Sequence, residues 1–354
     1  MSEDFLQVST FKIAATYVGT VIGAGFASGQ EILQFFGVFG NSGLAGLLVV
    51  TLLFILYGYI IMDLGYKVQS QSYMEVIRLS GGKYFGIVAD SIILFFLFGT
   101  LATMIAASGA LLNQQFGVHK IIGGTIMAVI SVITVFMGLN GLINSLSLIA
   151  PVLLTTAVGT SIISVYFIPP REGNIPFSQA AGAFAGNWLW SAILYVSYNV
   201  VTAIAVLGPL GHKAWDRKAI RNGAFMGGLA LGLCALAIYM AVYKSIGDLG
   251  GVELPMIYIA RGVSSIILLI YSIVLLASVY ATAAGSLYGF TARVFDRGRV
   301  RGRLKVTAIA ILAFAASQFG FSNLVKYMYP VEGFLGIILL AGLVYSKFKL
   351  MKKS

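Results

Sequence analysis

Long apolar runs, one after another from end to end, constrain this chain more than any other feature. Bounded by charged residues or by Gly and Pro, they fall at about 9–37, 42–65, 85–112, 119–138, 141–167, 187–208, 219–246, 258–294, 304–319 and 323–346. Most are long enough for an α-helix to cross a hydrocarbon core about 30 Å thick. Ten such runs predict an all-α membrane protein of ten transmembrane helices. Composition agrees, because only 10% of the 354 residues are charged, where a soluble domain carries about a quarter. The runs leave no extramembranous domain, so residues 1–354 read as one transmembrane unit.

Lys and Arg sort by side. With the N-terminus inside, eighteen of the 23 fall on the cytoplasmic side and five outside. That asymmetry predicts an inner-membrane protein with both termini cytoplasmic. The net charge of +11 therefore faces membrane lipids, and the basic run at 293–305 reads as a loop against anionic headgroups rather than a nucleic-acid surface. The acidic start, MSEDFLQVST, predicts no cleavable leader. A lone Cys234 and two distant histidines, His119 and His212, give no disulfide framework and no transition-metal set. No nucleophile–base constellation and no GxxxxGK[ST] loop occur, which argues against an enzyme and against an ATP-driven pump.

The polar chemistry lies inside the spans. Helix one carries GTVIGAGFASGQE at 19–31, with four glycines in eleven residues, each costing a helix roughly 1 kcal/mol relative to Ala. Gly19/Gly23 and Gly25/Gly29 form GxxxG pairs that suit close packing. The same residues suit an unwound segment near Gly23-Ala24-Gly25, whose free N–H groups and carbonyls could bind charge. Helix six carries the polar island Ser197-Tyr198-Asn199, expensive in mid-membrane unless bonded or used, and reads as a second interrupted helix. Helices one and six each open a half of five spans, about 8–167 and 187–346. An odd number per half makes the second enter from the opposite side, giving inverted repeats. Paired broken helices at matching positions point to a central transporter site.

With ten spans, GTVIGAGFASG in helix one and YVSYNVV in helix six, the chain resembles the amino acid–polyamine–cation superfamily, which has the LeuT-type fold. Within it the chain is most similar to the YkvI-like bacterial membrane proteins. The resemblance implies a pocket between helices one, three, six and eight. Gly23, Ala24, Gly25 and Phe26 would line it from helix one, the Gly-Ala-Gly backbone holding a solute carboxylate. Ser197, Tyr198 and Asn199 would face them from helix six, Tyr198 as a lid. Helix eight presents Ser278, Ala281 and Thr282 on one small-residue face. That face reads either as packing or, as in sodium-coupled relatives, as a Na+ site shared with the carbonyls of Gly19 and Ile22. Phe26 stands where some of those relatives place an Asn ligand, which argues against two sodium ions.

Four carboxylates remain. Asp63 and Asp90, near the cytoplasmic ends of helices two and three, read as solvated or salt-bridged. Glu31 and Glu332 are gating or proton-titrating candidates; Glu332 follows Pro330, which breaks the backbone pattern of helix ten, and Lys326 is a partner for Glu332. The expected function is secondary active transport of a small organic solute, an amino acid or related zwitterion or amine, coupled to Na+ rather than H+. The alternative is a transporter-fold receptor that binds without transport.

Overall fold

A computed structural model describes residues 8–70, 73–137, 140–170, 186–294 and 300–351. The described residues are helical almost throughout. The first apolar run is not one helix. It folds as α1 (Thr10–Val21), α2 (Ala24–Ser28) and α3 (Gln30–Phe35). Then come α4 (Asn41–Lys67), α5 (Tyr73–Phe116), α6 (Lys120–Met137) and α7 (Asn140–Phe167). The chain continues through α8 (Trp188–His212), α9 (Arg217–Lys244), the short α10 (Pro255–Val263), α11 (Ser265–Val294), α12 (Val300–Ser317) and α13 (Phe321–Met351). Side chains cap several starts: Asn187 accepts from the Trp190 amide at 2.8 Å and Asp216 from the Ala219 amide at 2.6 Å, each satisfying a donor that the first turn leaves free.

Seven of these helices, α4, α5, α6, α8, α9, α11 and α13, contain stretches long and apolar enough to cross a membrane. Their outward faces agree. Leu44, Leu48, Leu52 and Leu56 are all exposed on α4, one above another at i, i+4. Phe225, Leu229, Leu233 and Met240 repeat the pattern on α9. Exposed apolar stripes of this length suit lipid and not water. The protein is a multi-pass membrane protein.

Three expectations are corrected. The 258–294 run is divided at Ser264, which is extended and ends α10 before α11 begins. Pro330 does not interrupt α13, which runs through it. Helix six is not broken: α8 is continuous from Trp188 to His212. Its polar island bonds without unwinding, Asn199 Nδ2 donating to the Tyr195 carbonyl one turn back at 3.0 Å, and Ser197 Oγ to the Gly333 carbonyl on α13 at 2.8 Å. An amide or hydroxyl satisfied in this way removes the cost that unwinding would otherwise relieve.

Chain ends and loops gather at two faces. At one, the Val8 amide donates to the Lys213 carbonyl at 2.9 Å. There too the end of α4, the start of α9 and the end of α13 meet on Asp63, only 2% exposed. Lys347 lies 2.7 Å, Arg217 3.4 Å and Lys67 3.6 Å from its carboxylate. Arg293 approaches Asp90 at 3.7 Å. Both carboxylates thus take the ion-paired role. Asp63→Asn leaves three cations facing one another, and the expected loss is about 1.5–3 kcal/mol, read as a lower Tm in detergent. Lys347→Met is expected to cost less, since Asp63 keeps two partners. At the other face Glu253 pairs with Lys120 at 2.5 Å and accepts from the Phe321 amide at 3.1 Å, joining α6 and α13 to the segment before α10.

Candidate functional site

The break in helix one lies at Ile22–Gly23. Ile22 leaves helical geometry and Gly23 is extended. A Cβ on Gly23 would meet nothing within 4 Å, so open space adjoins the unwound backbone. The expected unwound stretch at Gly23-Ala24-Gly25 is thus shifted and shortened: Ile22 and Gly23 leave the helix, while Ala24 and Gly25 are already helical in α2. A second break at Gly29 was not anticipated. Its φ of +78° belongs to the left-handed region that favours glycine.

That second break builds the site. In a straight helix Glu31 would lie about 9 Å along the axis from Gly25 and on a different face. The turn at Gly29 instead brings the Glu31 carboxyl back onto Gly25: a Cβ at Gly25 would collide with Glu31 Oε1 and come within 3.2 Å of the Tyr329 hydroxyl. The Tyr198 hydroxyl of α8 donates to Glu31 Oε2. Its ring packs on that of Tyr329 from α13, centroids 4.9 Å apart, and edge-on against Tyr195 at 5.6 Å. Phe35, at the end of α3, packs against both Tyr195 and Tyr198. Glu332 lies one turn beyond Tyr329, 1% exposed, its Oε1 lodged where a side chain on Gly99 of α5 would begin. The broken helix one, α5, α8 and α13 therefore converge on two buried carboxyl groups set among tyrosines.

The expected residues divide. Gly25, Glu31, Tyr198 and Glu332 come together, and Ala24 and Phe26 are buried beside them in α2. Tyr198 is bonded to Glu31 rather than hinged over a free cavity. Ser197 and Asn199 are spent on the backbone bonds already described. Ser278 and Ala281 are buried on α11 and Thr282 half-buried. That helix docks on α2, the Tyr271 hydroxyl donating to the Ala27 carbonyl at 2.6 Å. Gly19 is half-buried in α1, and Ile22 is buried at its end. Lys326 precedes Glu332 by six residues on α13, which sets the two on different sides of the helix, and Lys326 Nζ lies 5.6 Å from the Tyr327 ring centroid.

No family model matches the sequence. Over 339 residues the chain is 30% identical to the membrane protein YkvI of Bacillus subtilis (strain 168), covering 96% of each protein. This chain belongs to the YkvI family of membrane proteins. A second relative from that bacterium, YyaD, is 29% identical over 336 residues, 94% of this chain and 96% of YyaD. Among solved structures, inward-facing Mhp1 superposes with a TM-score of 0.60 at 13% identity, covering 97% of this chain and 77% of Mhp1. MhsT in complex with L-phenylalanine gives 0.61 at 16% identity, covering 87% and 79%. A Na+-coupled sialic acid symporter gives 0.58 at 13%, covering 90% and 74%. These likenesses establish the fold of the YkvI-family chain as LeuT-type.

Sequence reading had missed Tyr195, Tyr329 and the glutamines of α3 in this YkvI-family site. Two signals were available. Tyr195 precedes Tyr198 by three residues, and Tyr329 precedes Glu332 by three, so each pair shares a helix face. Gln30 and Gln34, one turn apart, donate to the Ser322 side chain at 3.0 Å and its carbonyl at 2.8 Å, tying α3 to the start of α13.

Proposed function

We propose that this YkvI-family protein is a secondary active transporter, moving a small organic solute, an amino acid or related zwitterion or amine, by alternating access. The observation that carries the reading is the twice-broken helix one, which sets an unwound backbone and a buried polar cluster at the meeting point of four helices. Such a site is wasteful for a protein that only packs. The LeuT-type fold, shared with symporters of unlike substrates, supports it. Accumulation of labelled solute against its gradient in proteoliposomes tests it, and saturable binding without accumulation would instead identify a receptor.

In this reading the chain crosses the membrane ten times, as two five-helix halves of inverted topology, with both termini and the Asp63 face cytoplasmic. Cysteines introduced at the exposed positions Lys218 and Gly250, in a Cys234→Ala background, are expected to label from inside and outside respectively. Labelling of both from one side would overturn the topology. The 168–186 and 293–305 loops carry the same expectation but lie in part outside the described residues.

Sodium is the proposed coupling ion, held by the carbonyls of Gly19 and Ile22 and by Ser278 and Thr282, with Ala281 leaving room between them. Hard monovalent cations accept such neutral oxygen ligands. Thr282→Val removes one ligand at nearly constant volume and is expected to raise the sodium needed for half-maximal uptake about tenfold, the worth of roughly 1.4 kcal/mol. Unchanged sodium dependence would leave the α11 face as packing.

A further inference from the structure

We infer that the solute is an organic cation without a carboxylate, a protonated amine bound between Glu31 and Glu332, and that Glu31 supplies from within the protein the carboxylate that a zwitterion would bring. The inference rests on the transport reading above and narrows its substrate class.

Three observations carry it. First, the place beside Gly25 is already filled by a carboxyl group, since that of Glu31 lies where any side chain on Gly25 would collide. A second carboxylate brought there by an amino acid would compete with it, and with Glu31 ionised would meet like charge, which opposes binding. Second, the site holds negative groups without a cation. Glu31 and Glu332 are 4% and 1% exposed, and among the described residues neither forms an ion pair with Lys, Arg or His. Burial of unpaired charge is costly. Third, two polar atoms buried here, Glu332 Oε1 and the Tyr195 hydroxyl, have no hydrogen-bond partner among the described residues, and both can accept. A cation with several N–H groups could donate to both. An ammonium has three, and the Tyr198 and Tyr329 rings would present favourable faces to it.

Matched pairs that differ only in the carboxylate test this: phenylalanine and phenethylamine, tyrosine and tyramine, ornithine and putrescine. Each is titrated against purified full-length protein in a thermal-shift assay, with and without sodium and at two pH values. At least one amine is expected to raise Tm and to bind about 100-fold tighter than its amino acid. Glu31→Gln and Glu332→Gln, if folded by size-exclusion chromatography, are each expected to lose that binding by tenfold or more. Glu31→Ala, which empties the anionic place, is expected to narrow the gap between amine and amino acid. If the Gln variants do not fold, the wild-type pair comparison alone decides. Amino acids binding as well as their amines would overturn the inference. So would Tm shifts produced by sodium or lower pH alone with no amine effect, which would give the carboxyl pair to an inorganic ion or a proton. Because binding is read without transport, a receptor that prefers amines would sink the transport reading and leave this inference standing.

Discussion

Gly25→Leu will abolish solute binding while leaving the protein folded. The site offers no volume for a side chain there: the first added carbon already collides with the Glu31 carboxyl and comes within 3.2 Å of the Tyr329 hydroxyl. Glu31 must then swing off the Tyr198 hydroxyl, and α3 and α8 lose the bond that closes the site between them. The cost to stability stays local, about 1–3 kcal/mol for an overpacked interior position. Both near neighbours are side-chain ends that can give way, and the surrounding helices are each held by the membrane. Binding fares worse, because the substituent drives the Glu31 carboxyl from the position where it would meet the ligand. The expected readout is a monodisperse protein whose Tm no longer responds to any solute that stabilises wild type. Gly25→Ala is expected to show most of the effect. Tyr198→Phe, which keeps the ring and removes the donor to Glu31, is expected to weaken binding by about tenfold. Wild-type affinity in Gly25→Leu would mean that the ligand lies elsewhere.

Gly65→Val or Gly211→Val will prevent assembly of the bundle. The added atoms here would meet backbone instead of side-chain ends: Gly65 of α4 faces the Gly208 carbonyl of α8, and Gly211 of α8 faces the Met62 carbonyl of α4. Two glycines thus let these helices touch main chain to main chain, as small residues do in membranes. A carbonyl in a regular helix cannot rotate away, so relief requires the helices to separate along their whole contact. Loss of the monodisperse species is expected for Val at either position, and a Tm lowered by several degrees for Ala. The double Ala variant is expected to cost less than the sum of the two singles, because one separation relieves both collisions. Additive losses would show that the two glycines act independently.

The spans were legible because a bilayer imposes one simple rule, some twenty apolar residues between polar breaks. That rule placed α4, α6, α8, α9 and α13 within a few residues and found the apolar part of the much longer α5. It failed at 258–294, where Ser264 divides the run but hydropathy alone carries no signal of a change in direction. Helix one could be read as broken because its glycines sit close together in one segment, and their backbone cost is local. Helix six could not be read correctly. Whether Asn199 and Ser197 disrupt a helix depends on finding a partner, and Ser197 finds one on α13, which only packing supplies.

The sequence by itself determined that the chain lives in a membrane, roughly where its helices run, and that helix one is interrupted, since each follows from local composition acting on a solvent or on a backbone. The tertiary structure alone decided what that interruption is for. Glu31 and Glu332 stand at opposite ends of the chain, and nothing in either neighbourhood announces the other. They meet because Gly29 turns α3 back toward Gly25, and because glycines at 25 and 99 leave room for carboxyl groups at the crossing of helices. Close approach between distant segments is fixed by how helices interlock, a property of three-dimensional packing that no stretch of sequence carries alone.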